Sequence, residues 1–399
     1  MLRSRQLALI CTTLLLAGGC ERLTSLQSNP LTLVTLLSET GEFGAIGRSM
    51  AEAASLAVET ANQCGGVRGQ SVQLSRLDDR SDPERAAQVA QTALQQPRLL
   101  GVIGSVAQDS SQAIAQVTSG RTPLISPTSS ETSELAQPGW WFRLAPPPTL
   151  QATALADAAA QQGDRRLVLI RWDDRYGRHL GDAFTAAVES NRGIILNRDE
   201  PLGVRPNQPL TDADLRTLLE WGPEAVAILG YGPAAATLGQ QLRRQDPQLP
   251  LLVSDGIPGG DRLGPVSGVS QLERGPGWAE FTQRFRQRYG RSPQLSDARS
   301  WDAAALLLLA AAQDAKASPE QIRHRIPTLT ESEAKGTVAT ADLCRGLRRL
   351  QKGQPTRFLG SSSTLQFSPS GGVDARFRIW SRDGDGKAAA ERQVEISSF

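Results

Sequence analysis

Histidine and cysteine are scarce in this chain, with two of the first and four of the second among 399 residues. His179 and His324 stand far apart and the cysteines do not cluster, so the ligand set of a zinc or copper site is missing. Charge of one sign is missing too: 43 basic against 41 acidic residues leave a net +2. That excludes the basic footprint of a nucleic-acid binder and a polybasic segment that would hold anionic lipid. Apolar runs are short. Neither Leu7–Leu16 nor Leu306–Ala312 approaches the roughly 20 residues a bilayer span requires, and the second reads as a buried helix.

Catalytic patterns are also lacking. Gly264-Pro265-Val266-Ser267-Gly268 has the wrong spacing for a nucleophile elbow, and there is no Walker A sequence. Gly230-Tyr231-Gly232 follows a predicted strand, but Ala235 stands where a dinucleotide fingerprint needs its third glycine. The adjacent acids Asp78-Asp79 and Asp173-Asp174 would point to opposite sides of a strand and cannot jointly flank a bond. They read as loop or strand-end acids. The expectation is a protein that is not an enzyme and has no cofactor and no metal.

What is present begins at the N-terminus. Residues 1–19 carry Arg3 and Arg5, an apolar stretch and then Ala17-Gly18-Gly19, the plan of a secretory signal peptide. Cys20 directly after the small residues makes this a bacterial lipoprotein signal with an acylated cysteine; an ordinary signal peptide is the alternative. Residues 20–30 are then a polar tether. Losing Arg3 and Arg5 lowers the basic count from 43 to 41, equal to the acidic count, so the mature chain is neutral. Cys11 would leave with the signal, which leaves Cys64 and Cys344 either as a disulfide or as two buried thiols.

From Leu31 onward the pattern alternates. Short apolar strands at 31–37, 71–77, 99–103 and 122–125 are separated by helical spacing at 48–63, from Pro83, and at 109–119. After Pro146-Pro147-Pro148 the rhythm restarts: helices at 149–162, 177–189, 211–219 and 234–244, strands at 167–170, 193–196, 225–229 and 251–253. Beyond the Gly/Pro-rich stretch 256–276 come helices at 277–289, 300–313 and about 340–352, then short strands at 364–367, 375–380 and 393–396. Strands alternating with helices predict βαβ units, hence an α/β fold of two doubly wound parallel-sheet lobes joined by more than one crossing. A cleft between such lobes is where strand ends meet a ligand.

The strand-end loops supply the candidate site. Loop 104–111, with Gln108, and loop Ser126-Pro127-Thr128-Ser129-Ser130 are rich in small hydrogen-bonding groups that suit a carboxylate; simple helix capping by Asp109, Ser129 or Ser130 is the plainer alternative. Tyr176-Gly177, Tyr231-Gly232 and Asp255-Gly256 follow strands of the second sheet. Two aromatic rings and one acid can take an ammonium and an aliphatic or aromatic group.

In order and spacing, Thr40-Gly41, Asn62-x-x-Gly65-Gly66-Val67-x-Gly69, Asp78-Asp79-x-x-Asp82-Pro83, Val102-Ile103-Gly104, Ser126–Ser130, Phe142-Arg143, Tyr176-Gly177, Asp255-Gly256 and Trp301-Asp302-Ala303 complete a set. With it, the chain resembles the periplasmic substrate-binding proteins of branched-chain amino acid ABC transporters, the leucine/isoleucine/valine-binding family. The resemblance implies three crossovers, with 31–146 and 270–373 in one lobe and 147–269 and 374–399 in the other. It implies a monomer that closes on a small ligand and delivers it to ABC permease subunits outside the cytoplasm. Thr128, Ser129 and Ser130 would hold the ligand carboxylate, Tyr176 and Tyr231 would contact it, and Asp255 would bind its ammonium. Ile46 would line the side-chain pocket. Gln108 stands where the family has a serine, Trp301 where tyrosine is common, and the family's cysteine pair in the first lobe is absent. Family members also bind amides, urea and aromatic acids. A same-fold lipoprotein that acts as a sensor or regulates an envelope enzyme is the alternative.

Overall fold

The computed structural model describes residues 29–130, 137–205, 208–272, 274–314, 316–331, 333–368, 371–373 and 375–396. The expected signal peptide, Cys20 and most of the tether lie outside the described residues.

Two parallel sheets organise the chain. The first is built from β1 (Leu31–Leu37), α1 (Gly44–Gln63), β2 (Val72–Asp78), α2 (Pro83–Leu94), β3 (Leu99–Gly104), α3 (Gln108–Thr118), β4 (Leu124–Ser126) and β5 (Trp141–Arg143). Its strand order is β2-β1-β3-β4-β5 and every pairing is parallel. β1 reads LTLVTLL and is buried at every position, as a strand covered on both faces must be. Asp82 starts α2 by accepting from the N–H groups of Glu84 and Arg85 at 2.8 and 3.0 Å, with Pro83 at the first helical position.

The second sheet follows α4 (Pro148–Gln162) and contains β6 (Arg166–Trp172), α5 (Arg175–Ser190), β7 (Ile194–Ile195), β8 (Leu202–Val204), α6 (Asp212–Glu220), β9 (Ala225–Leu229), α7 (Gly232–Gln245), β10 (Leu251–Val253) and β11 (Val266–Gln271). The chain then returns to the first lobe for α8 (Trp278–Tyr289), α9 (Asp297–Ala312), α10 (Pro319–Glu331), β12 (Val338–Thr340), α11 (Leu343–Gln351) and β13 (Thr356–Phe358). It crosses a last time into β14 (Ala375–Arg382) and β15 (Ala388–Ile396), which close the edge of the second sheet as an antiparallel pair. That sheet runs β15-β14-β11-β10-β9-β6-β7, with β8 also paired to β6. The chain therefore passes between the sheets three times, after β5, after β11 and before β14.

Several elements differ from the sequence reading, and β5, β8 and β11 were not read from it, β11 lying inside the Gly/Pro-rich stretch 256–276. No strand forms at 364–367, where Phe367 makes a single bridge to Val373. β12 and β13, three residues each, pair with one another instead. A helix not read from the sequence, α10, fills part of the gap before 340, its pattern obscured by Pro327 in its interior.

Each sheet is covered on both faces. In the first lobe α1 and α8–α11 pack one face, and α2 and α3 the other. In the second lobe α4 and α5 cover one face, α6 and α7 the other. α9 is buried at all sixteen positions, packed on α1, α10, α11 and β3. Its two acids accept hydrogen bonds, although Asp297 Oδ1 has no partner among the described residues. Asp297 accepts from Ser49 Oγ and the Gln294 N–H, both at 2.7 Å. Asp302 accepts from the N–H groups of Ser361 and Ser362 at 2.7 Å and from Ser362 Oγ at 2.6 Å. Cys64, at the end of α1, and Cys344, in the first turn of α11, are joined by a disulfide with Cα atoms 5.6 Å apart across 280 residues of sequence.

A covalent link closing so long a loop is worth about 2–4 kcal/mol, so Cys344→Ser or reduction is expected to lower the free energy of unfolding in denaturant by that amount. Burial pushes the Asp297 and Asp302 carboxyls up from 3.8 to about 6, against the pull of their hydrogen-bond donors. The folded chain thus holds these protons more tightly than the unfolded one. Their contribution is fully present below the unfolded value of 3.8 and is lost as pH rises through about 6. Denaturant unfolding from about pH 4 to about pH 7 is expected to show that loss, up to about 3 kcal/mol per group, and Asp302→Asn is expected to flatten the slope.

Candidate functional site

The C-terminal ends of β3 and β4 present one wall of the cleft. The Thr128 hydroxyl lies within hydrogen-bond reach of two carbonyls, Ser105 O at 2.7 Å and Val106 O at 2.8 Å, which staples the loop after β4 to the loop after β3. Gln108, the first residue of α3, accepts from Ser129 Oγ at 2.6 Å and from the Ser130 N–H at 3.3 Å. The structure thus brings Gln108, Thr128, Ser129 and Ser130 into one network. Its Thr128 and Ser129 hydroxyls are spent inside the wall. Capping by Asp109 does not occur: Ala107 is the N-cap residue without a side-chain bond, and Asp109 turns to Arg175.

The second wall is built at the ends of β6, β9 and β10. Asp174 caps α5 by accepting from the Gly177 N–H at 2.7 Å. Only glycine fits at 177, because a Cβ there would stand 2.2 Å from the Trp172 carbonyl oxygen. This turn aims Tyr176 at Gln151, to which its hydroxyl donates at 2.7 Å. Tyr231, the N-cap residue of α7, donates its hydroxyl to Asp174. The rings of Tyr176 and Trp172 lie 5.9 and 6.2 Å from that of Tyr231.

Asp255 follows β10 in a turn that Gly256 completes at φ +87°. It accepts from the N–H of Gly256 at 2.9 Å and of Gln271 at 3.1 Å. Burial raises its pKa; those donors, Arg299 and Arg378 pull the other way. Arg299, in the first turn of α9, donates to Pro127 O at 3.3 Å and to the Gln271 side chain, and so ties the first wall to the end of β11. Tyr176 and Tyr231 are held protonated, Tyr176 by burial and the charges of Asp255 and Asp174, Tyr231 by burial and Asp174.

The walls touch. Phe43, just before α1, places its ring 5.7 Å from Tyr231, and Asp109 pairs with Arg175 at 3.3 Å. Burial and the charge of Asp174 raise the pKa of Glu42. Tyr176, Tyr231 and Asp255 therefore share one wall and Gln108 with 128–130 the other. Ile46 stands apart, 40% exposed on the first turn of α1, three residues on from Phe43.

Glu42, Phe43, Gln151, Asp174, Gln271 and Arg299 also stand at these walls, and the sequence reading did not place them in the candidate site. For Asp174 a signal existed, an acid directly after a strand and three residues before a glycine at the start of a helix. The adjacent acids do part company: Asp173 pairs with Arg178 and Arg205 at 3.0 and 2.8 Å, while Asp174 faces Tyr231. Arg299 carries no local signal, since only the fold brings α9 under the loop at Pro127.

Comparison with known proteins gives this arrangement a family. The family described as periplasmic binding protein matches residues 30–343. Leu/Ile/Val-binding protein homolog 3 of Brucella melitensis is 26% identical over 230 residues, 57% of this chain and 61% of that protein. An amino acid binding protein of Pseudomonas aeruginosa is 25% identical over 239 residues, 59% of this chain and 63% of that protein. The chain thus spans about three fifths of the length of the curated relatives it matches. Among solved structures, the leucine binding protein LivK of Thermotoga maritima superposes with a TM-score of 0.73 at 22% identity, covering 91% of this chain and 98% of that one. LivJ of Streptococcus pneumoniae, a branched-chain amino acid transporter substrate binding protein in complex with isoleucine, gives 0.73 at 18% identity, covering 92% and 100%. A solute binding protein of R. palustris in complex with benzoate gives 0.71 at 16%, covering 92% and 98%. With a family match over most of its length and two sheets joined by three crossings, this chain belongs to the periplasmic binding protein family.

Proposed function

We propose that this protein is an extracytoplasmic solute receptor of an ABC uptake system, anchored by lipid at Cys20, which binds an amino acid between its lobes and delivers it to a permease. The observation that carries the reading is the chemical difference between the facing walls. One offers the Gln108 amide, held in place by loop 128–130; the other offers Asp255 beside the rings of Tyr176 and Tyr231. A zwitterion needs that division, with donors for its carboxylate and an acid for its ammonium. Glu42 and Asp174 add negative charge on the ammonium side. The names of the Brucella and Pseudomonas relatives, and the isoleucine in the Streptococcus structure, point the same way.

Binding works by burial. An ammonium entering beside Asp255 replaces water as the partner of a carboxylate that desolvation otherwise disfavours. Phe43 and Tyr231 close over the aliphatic part of the ligand, and the Asp109–Arg175 pair holds the closed lobes at the rim. No step needs a nucleophile, a metal or a redox group, which suits a receptor rather than an enzyme. The disulfide between Cys64 and Cys344 fits an oxidising compartment.

Titration calorimetry against the twenty amino acids, with amides, urea and benzoate alongside, tests this reading. At least one amino acid is expected to bind saturably, and Asp255→Asn is expected to weaken it about 10–100-fold, the worth of a charged hydrogen bond. Affinity is also expected to fall on acidification at a higher pH than an unburied aspartate would require, because the Asp255 pKa is raised. Binding of amides or benzoate alone, indifferent to Asp255→Asn, would place the protein with the other ligand classes of the family.

A further inference from the structure

The base of the first lobe holds a cavity that the interlobe cleft does not use. It has a volume of about 540 Å³ and lies among the first residues of β1 and β3, the approach to β4, the end of α2 and the start of α10. In a parallel sheet this is the N-terminal edge, opposite the strand ends that build the cleft. The seven residues of β1 put roughly 20 Å between the two sites.

Its walls divide by chemistry. Three cations line it, Arg98, Arg121 and Lys316, and none of the lining residues is acidic. Arg98 is held in place: its guanidinium donates to the Asn29 carbonyl and to the Gln70 side chain, which leaves other N–H groups of the fork free to donate. The Arg121 and Lys316 side chains are exposed and make no ion pair among the described residues. Thr122, also in the wall, is only 1% exposed, and its hydroxyl has no hydrogen-bond partner among the described residues. That hydroxyl is sealed from the cavity as well as from solvent, so it is no donor to a ligand there. α10 begins beside the cavity at Pro319, which has no N–H, and its first turn is closed by Ser318, whose hydroxyl accepts from the Gln321 N–H at 3.2 Å and whose own N–H donates to the Gln321 side chain at 2.9 Å. The acid of that first turn, Glu320, is occupied by Arg323 and His324. The rest of the wall is apolar: Leu31, Leu94, Leu99 and Leu100 with Ala317.

We propose that this cavity binds a phosphate group. Three cations lining one space, with no acid among the described lining residues, match a multiply charged oxyanion, and the leucines accept an apolar body attached to it. Two sources have this chemistry, a free phosphate or phosphate ester and the headgroup of an anionic phospholipid. The cavity adjoins Asn29–Leu31, the point at which the N-terminal segment enters the fold, so an anchored chain would present it toward headgroups. The site itself does not depend on the identity of the cleft ligand.

The test uses the full purified chain and two soluble probes, inorganic phosphate and dihexanoyl phosphatidylglycerol, with dihexanoyl phosphatidylcholine as the zwitterionic control. Saturable binding of phosphate or of phosphatidylglycerol, but not of phosphatidylcholine, is expected by calorimetry. Arg121→Gln and Lys316→Gln are each expected to weaken it about tenfold, with unchanged thermal melting of the unliganded chain. Phosphate binding assigns the site to free anions, and binding of phosphatidylglycerol alone assigns it to a lipid surface. No binding of either probe overturns the proposal, as does binding equally strong in both variants. Amino-acid titration of the same samples reads the cleft separately, so failure at one site is not mistaken for failure at the other.

Discussion

The complete burial of α9 is the constraint on which the rest of the structure depends. The first lobe is made from two stretches of chain, 31–146 and the later α8–β13 segment, and α9 is the helix around which they meet. A helix with no exposed face cannot tolerate an unpaired charge, yet this one carries Asp297, Arg299 and Asp302. Asp297 is anchored by Ser49 of α1, and Asp302 by the backbone of Ser361 and Ser362. Arg299 reaches out to the loop after β4 and to the end of β11. The polar groups of a core helix therefore fix the two halves of one lobe to each other and to the mouth of the cleft. The disulfide between α1 and α11 adds a covalent tie between the same two stretches.

Much of the fold was legible because parallel strands covered on both faces must be apolar throughout. β1, β3, β6 and β9 stand out as short runs between glycine and proline punctuation. What was lost follows from the same rule. β12 and β13 are three residues long and partly exposed, too short to show any period. α10 has a polar composition and an internal proline, which hides a helix whose buried residues are only Ile322, Ile326, Leu329 and Thr330. The segment at 364–367 alternates like a strand, but its neighbours offer one bridge and no ladder.

The site divides similarly. Tyr176, Tyr231 and Asp255 were legible because each follows a strand and precedes a glycine, the local geometry of a strand-end turn. Phe43, Gln151, Gln271 and Arg299 owe their positions beside them to tertiary proximity alone. Thr128 and Ser129 are a subtler case. Their placement was readable, whereas the direction of their hydroxyls was not, since it is set by the Ser105 carbonyl and the Gln108 amide on another loop. The wall behaves as a rigid, prearranged lattice rather than a row of free hydroxyls.

The three passages of chain between the sheets have a mechanical consequence. One connection would let two bodies swivel, twist and slide; three connections restrain that freedom. Any opening of the receptor proposed above would then follow one angle between the lobes, which Phe43 and Tyr231 span where their rings lie 5.7 Å apart. A partner that grips both lobes could read occupancy as an angle, without touching the cargo.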